Sequence, residues 1–153
     1  MYSRQEASQL RQAFWTTFGQ YMAPITSAEG DKVSWVNYKT GIKHLYFRMQ
    51  AGNKSASIAI EITHPDVELQ QWYYEELIKS KKLFRSFVGE EWQWVLHTTD
   101  EHGKVVSRIF TEQAGISVFR REDWPALISF FKPRIIALDA FWHAVKYHFK
   151  MMQ

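Results

Sequence analysis

The sequence predicts an α+β domain in which an antiparallel meander and a second hairpin are packed by at least three helices. Three observations carry that reading. Apolar residues alternate with period two through residues 33–38, 43–50 and 55–63, and a second alternating pair, 92–99 and 104–111, flanks Asp100-Glu101-His102-Gly103. Near the end, Trp124, Ile128, Phe131, Ile135, Leu138, Trp142, Val145 and Phe149 recur at spacings of 4, 3, 4, 3, 4, 3 and 4. At 153 residues the chain reads as one domain, 1–153, since a chain of this size buries about 69% of its extended surface behind a single core.

Ser3 and Glu6 have the spacing of a capping box, and Ala7, Leu10, Phe14, Phe18 and Tyr21 then mark one face of a helix over 4–21. Pro24 and the stretch from Ser27 to Asp31 end it. In the meander, parity sets the pairing. The loop Lys39-Thr40-Gly41 places Trp35 opposite Leu45 and Val33 opposite Phe47, so that both apolar sets share a face. The next turn must be even, either Gly52-Asn53 or the four residues 50–53. The shorter turn sets Phe47 opposite Ile58 and His44 opposite Glu61. The other face, with Val36, Tyr38, His44, Tyr46, Arg48, Ser57, Ala59 and Glu61, is mixed and expects partial cover.

Pro65 suits a first helical turn, and Asp66 and Glu68 suit the positive end of the helix dipole. The apolar positions from 69 to 87 then describe one imperfect amphipathic helix that Gly89 stops. In the second hairpin an even loop sets Trp94 opposite Ile109 and Leu96 opposite Ser107, and residues 116–119 form a short last strand. The C-terminal stripe is a long helix from about residue 125 to 149, which Pro133 is expected to kink or break near Phe131.

Composition excludes more than it selects. Without cysteine there is no disulfide, thiolate zinc site or cysteine nucleophile. No apolar run reaches a membrane span, and the opening residues lack an apolar signal segment, so a soluble cytoplasmic protein is expected. The formal charge of +3 is spread as six basic against three acidic residues over 1–51, five against eight over 52–100 and eight against five over 101–153. There is no basic tail.

Tyr2-Ser3-Arg4-Gln5-Glu6-Ala7, Ile60-Glu61-Ile62-Thr63-His64-Pro65, Asp123-Trp124-Pro125, Phe131-Lys132-Pro133-Arg134 and Leu138-Asp139-Ala140-Phe141-Trp142 together resemble an uncharacterised bacterial family named only as a domain of unknown function. Its members occur alone or as the C-terminal part of longer chains, some with an upstream region similar to restriction-type nucleases. The resemblance implies an accessory role near nucleic acid or in defence, and brings no catalytic residues with it. The predicted order of helix, three strands, helix and strand also resembles the core of restriction-type metal nucleases. Such a site needs an acid on its second strand, then a carboxylate and a lysine two residues apart on its third. Here residues 43–50 hold no carboxylate, and Thr63 stands two residues after Glu61.

Three sets of residues are candidate surfaces. His44, Tyr46, Arg48 and Glu61 share one sheet face, where they form either an oxyanion site or an ordinary cross-strand charge pair. Lys79, Lys81, Lys82 and Arg85, near Trp72 or Tyr73, have the residue types of a nucleic-acid surface, with Glu75, Glu76, Glu90 and Glu91 flanking them. Phe130, Ile136 and Phe141 lie beside the main helical stripe and suit a homodimer interface. Asp139 and His143 form an i,i+4 pair expected near the helix surface, and the histidines have no metal-ligand spacing. The reading is a non-catalytic binding or accessory domain without metal or cofactor, whose partner is a second copy, another protein or nucleic acid. The alternatives are a divalent-metal nuclease and a sequence-nonspecific nucleic-acid module.

Overall fold

Helix α1 (Arg4–Met22) opens as the capping box requires: the Ser3 hydroxyl accepts from the Glu6 backbone at 3.1 Å, and the Glu6 carboxylate accepts from the Ser3 backbone at 3.2 Å. In this computed structural model, which describes residues 2–151, β1 (Leu45–Ala51), β2 (Ser55–Ile62), α2 (Val67–Lys79), α3 (Lys81–Val88), β3 (Gln93–Thr99), β4 (Val105–Ala114) and α4 (Trp124–Lys150) follow. The α+β class holds. The strands form one antiparallel sheet in the order β1-β2-β4-β3, so the two hairpins meet through β2 and β4. One face carries Phe47, Ile58, Ile60, Ile62 and Ile109 into a core shared with Leu77, Phe84, Phe131, Leu138 and Trp142 from the helices.

Residues 33–38 are not a strand, so there is no three-stranded meander, and the element order behind the nuclease comparison is absent. Their alternation belongs to an irregular segment laid against α4. The Trp35 indole donates to the Ile25 carbonyl at 2.9 Å, the Trp142 indole to the Thr40 carbonyl at 2.8 Å, and the Thr40 hydroxyl to the Leu45 carbonyl at 2.7 Å. These bonds satisfy buried backbone groups that a ladder would otherwise take up.

The β1–β2 register is shifted by two residues from expectation. Phe47 faces Ile60 and Leu45 faces Ile62, with Asn53-Lys54 at the turn. Residues 115–118 select this register: the Gly115 amide donates to Lys54 O at 2.9 Å, and the Val118 amide to Gly52 O at 3.0 Å. Residues 116–119 meet the turn in this way without forming a strand. Trp94 does pair with Ile109, but a bulge between Val95 and Thr98 replaces the expected pairing of Leu96 with Ser107. His97 takes a positive φ of 50°, and its amide donates instead to the Ser107 hydroxyl, which donates in turn to fully buried Gln70.

Asp66 rather than Pro65 starts α2, with its carboxylate accepting from the Glu68 and Leu69 amides. The single helix expected over 69–87 is divided at Ser80 (φ −103°, ψ 18°), which turns α3 toward α4. Gly89 ends α3 in the left-handed conformation at φ 72°, as its position requires. Helix α4 is continuous through Pro133. Leu127, Phe131, Ile135, Leu138 and Phe141 on it are fully buried. At about 1.5–3 kcal/mol each they outweigh a proline penalty of about 3 kcal/mol. Arg134 braces the same turn, donating to Phe130 O and, through two nitrogens at 2.9 Å, to Glu90.

Candidate functional site

Because side chains alternate across a strand, the sheet face turned away from the helices collects Tyr46 and Arg48 from β1, Ala59 and Glu61 from β2, and Arg108 and Phe110 from β4. In register, Tyr46, Glu61 and Arg108 form one row; Arg48, Ala59 and Phe110 form the next. Each arginine stacks on the ring two positions along its own strand, Arg48 over Tyr46 at 4.6 Å and Arg108 over Phe110 at 4.5 Å. Both converge on Glu61, which is 13% exposed, with Nε to carboxylate distances of 3.4 and 3.5 Å. These contacts are long for charge-assisted bonds. Arg108 Nε is buried and has no hydrogen-bond acceptor.

The β3–β4 turn closes this face into two adjoining hollows of about 370 and 700 Å³, which share Arg48, Glu61, Asp100 and His102. Asp100 stiffens the turn by accepting from the His102 amide at 2.8 Å and the Lys104 amide at 2.9 Å. The bond from Lys104, with that from His102, holds its carboxyl below the usual aspartate range. The site therefore offers two guanidinium groups on a floor and fixed carboxylates in the roof. It is suited to gripping a compact anion and lacks the continuous positive field of a long electrostatic track.

The four residues expected on this face, His44, Tyr46, Arg48 and Glu61, all line the larger hollow, but Glu61 faces Tyr46 and not His44. The register shift sets His44 opposite Thr63, and its ring packs edge-on against His64 with centroids 4.7 Å apart. Burial, then the neighbouring His64 and Lys43, lower its pKa. Arg108 is the residue that sequence reasoning missed, because only the pairing of β2 with β4 brings it there.

The Lys79, Lys81, Lys82 and Arg85 run lies in the helical layer, away from this face. Lys79 pairs with Glu76 at 2.9 Å, Arg85 pairs with Glu91 at 2.8 Å, and Lys81 lies 5.3 Å from the Trp94 ring centroid. Phe130 and Phe141 are core residues of the single chain, 2% and 0% exposed, and Ile136 is partly buried against the same core. The apolar surplus of α4 is thus consumed internally.

A second polar cluster is buried where residues 24–44 meet α4. Asp139, expected near the surface, is 1% exposed. It accepts from the Ala28 amide at 2.8 Å and the Tyr38 hydroxyl at 2.5 Å, and lies 3.1 Å from His143 Nε2 without hydrogen-bond alignment. Burial, then the bond to Asp139, raises the pKa of Tyr38 far above the ordinary phenol value. Beyond His143, Glu29 lies 3.1 Å from its Nδ1 and 3.2 Å from Lys146 Nζ.

Among known families, the one described as Domain of unknown function (DUF4268) matches residues 10–146, from within α1 to the penultimate turn of α4. The chain belongs to that family. No curated protein and no solved structure matches it. The DUF4268 match takes in both polar clusters. Among the described residues, no three His, Asp or Glu side chains are placed to hold a metal ion, and no helix is long and apolar enough to cross a membrane.

Proposed function

We propose that the chain is a non-catalytic binding domain whose sheet-face hollow grips a phosphate-bearing strand of single-stranded nucleic acid. The observation that carries this reading is the Arg48-Glu61-Arg108 arrangement, in which two ring-stacked guanidinium groups share one carboxylate loosely and Arg108 Nε is buried without an acceptor. Phosphate oxygens pair with the accessible parts of the two guanidinium groups, whose side chains are 48% and 25% exposed, and the guanidinium planes over Tyr46 and Phe110 are surfaces on which unpaired bases stack. Glu61 lies between the two arginines, 3.4 and 3.5 Å from their Nε atoms. As an accessory module, such a domain presents a strand to a partner's catalytic centre. The resemblance to chains with upstream nuclease-like regions supports that context.

Two arginines contact about two phosphates, so the logarithm of the binding constant should fall with the logarithm of salt concentration at a slope of about −1.4. Fluorescence anisotropy of a labelled single-stranded oligonucleotide across a salt series measures it. Arg48→Ala and Arg108→Ala should each flatten the slope by about 0.7 and weaken binding across sequences. Binding with a much steeper slope, insensitive to both substitutions but lost in Lys81→Ala and Lys82→Ala, would transfer the function to the helical layer. Absence of binding at low salt refutes it outright.

A further inference from the structure

We propose that the sheet-face hollow selects nucleobases that carry an exocyclic amine (cytosine, adenine and guanine) over thymine and uracil, through the carboxylate of Asp100. The inference rests on the nucleic-acid reading of the same hollow. It adds the part of the ligand that the arginines do not hold.

The charge of the hollow is mixed. Arg48 and Arg108 face one carboxylate, Glu61, on the floor, while Asp100, Glu101 and His102 line the same space from the β3–β4 turn. His102 lies 3.5 Å from Glu101. Asp100 is arranged differently, because both amide bonds that stiffen the turn, from His102 and from Lys104, end on its Oδ1. Among the described residues its Oδ2 accepts no hydrogen bond and joins no ion pair. The bond from Lys104, with that from His102, also keeps the carboxyl ionised at neutral pH. An ionised carboxylate only accepts, so the group that meets it must bring a hydrogen. A phosphodiester brings none. The amine on C4 of cytosine, C6 of adenine or C2 of guanine does, and acceptance from cytosine N4 is an established use of Asp and Glu in base recognition. Thymine and uracil carry a carbonyl oxygen at C4, which would set acceptor against acceptor.

The surroundings of Asp100 suit the flat body of a base. It lines the larger hollow together with Tyr46, Pro65, Val67 and Val105. Tyr46, Val67 and Val105 are 39%, 45% and 43% exposed, so apolar surface at this end is still open to water and is removed from it when a base lies there. Arg48, 4.6 Å from the Tyr46 ring centroid, connects that surface to the phosphate end of the hollow.

Fluorescence anisotropy of the full chain with labelled oligo-dC and oligo-dT of equal length, at neutral pH and one salt concentration, tests the selection. Oligo-dC is expected to bind about tenfold more tightly, the scale of one charge-assisted hydrogen bond. Asp100→Asn keeps an oxygen for the two turn amides and puts an N–H donor in place of the second acceptor, so it should cancel or reverse the preference. Glu101→Gln should leave the preference as it is. Equal binding or a preference for oligo-dT in the parent, a preference for oligo-dC that survives Asp100→Asn, or one that Glu101→Gln removes overturns the proposal. Equal binding of the two oligonucleotides that still weakens in Arg48→Ala removes the base selection and leaves the phosphate reading standing. Binding of neither removes both.

Discussion

Replacing Asp139 tests whether the irregular segment 24–44 is held by a buried carboxylate. Asp139→Ala removes an acceptor from the Ala28 amide and from the Tyr38 hydroxyl. Hydrogen bonds to a charged group contribute about 1.5–3 kcal/mol each. Ala28 is exposed and can recover water as a partner, while Tyr38 is only partly so. The lower end for the two bonds together, about 3 kcal/mol, is therefore expected. In urea, with a slope of about 1–3 kcal/mol per molar, the midpoint should fall by about 1–3 M at unchanged slope. The melting temperature should fall by about 6–12 °C. Asp139→Asn keeps the shape, and the Tyr38 hydroxyl can turn to accept from the new amide, so it should cost about 1 kcal/mol. Tyr38→Phe should be nearly silent on the Asp139→Ala background, because the interaction it deletes is already gone. The pH dependence follows from Tyr38, whose pKa is raised in the folded chain by burial and by Asp139. Its contribution is complete below the unfolded value of about 10 and is lost as pH rises above it, a loss that Tyr38→Phe should abolish. An Asp139→Ala variant within about 0.5 kcal/mol of the parent, the range of ordinary surface changes, would refute the pinning.

Two further outcomes separate the packing from its alternatives. Phe141→Asp should prevent folding, as followed by circular dichroism, because it deletes a fully buried ring packed 5.1 Å from Phe84 and puts a carboxylate among apolar groups. A folded monomer carrying that change would restore the interface reading of Phe141. Glu76 joins α2 to α4 through His148 at 2.7 Å and also accepts from Lys79, and bonds from Lys79 first and His148 second lower its pKa. Its contribution should be complete above the unfolded glutamate value of about 4.3 and lost as pH falls through the folded value. Glu76→Gln should therefore flatten the acid limb of a pH–stability curve, and an unchanged limb would place that acid sensitivity elsewhere.

Elements whose determinants are local were legible in the sequence, and those fixed across the chain were not. Ser3 with Glu6, Gly89, and the stripe from Trp124 to Phe149 each carry their own signal within a few residues. The β1–β2 register does not, because pairings displaced by two residues keep the same side chains on the same face. The choice is made by the amides of Gly115 and Val118, about 60 residues away. Residues 33–38 alternate as a strand does, yet Trp35 and Tyr38 are committed to Ile25 and Asp139, and only the completed helix layer shows this. Pro133 misled in the opposite direction, since a local breaker is outweighed by the core that α4 fills.

The same division runs through the segments quoted for the family resemblance. Most of the residues that carry the resemblance hold the fold. The Trp124 indole donates to Val118 O at 2.8 Å, Asp123 accepts from the Ser117 amide at 2.9 Å, Trp142 secures Thr40, and Asp139 secures Ala28 and Tyr38. The segment from Ile60 to Pro65 is different. Its Ile60 and Ile62 enter the core, but Glu61, Thr63 and Pro65 line the sheet-face hollow. The isoleucines serve the core, whereas Glu61, 13% exposed, meets two arginines on the opposite face of the sheet. In the proposed function Glu61 is the shared partner of the two arginines, 3.4 and 3.5 Å from their Nε atoms. Arg48 and Glu61 were visible as neighbours because their strands are consecutive. Arg108, the second arginine against Glu61, enters through the β2–β4 pairing, 47 positions along the chain from Glu61.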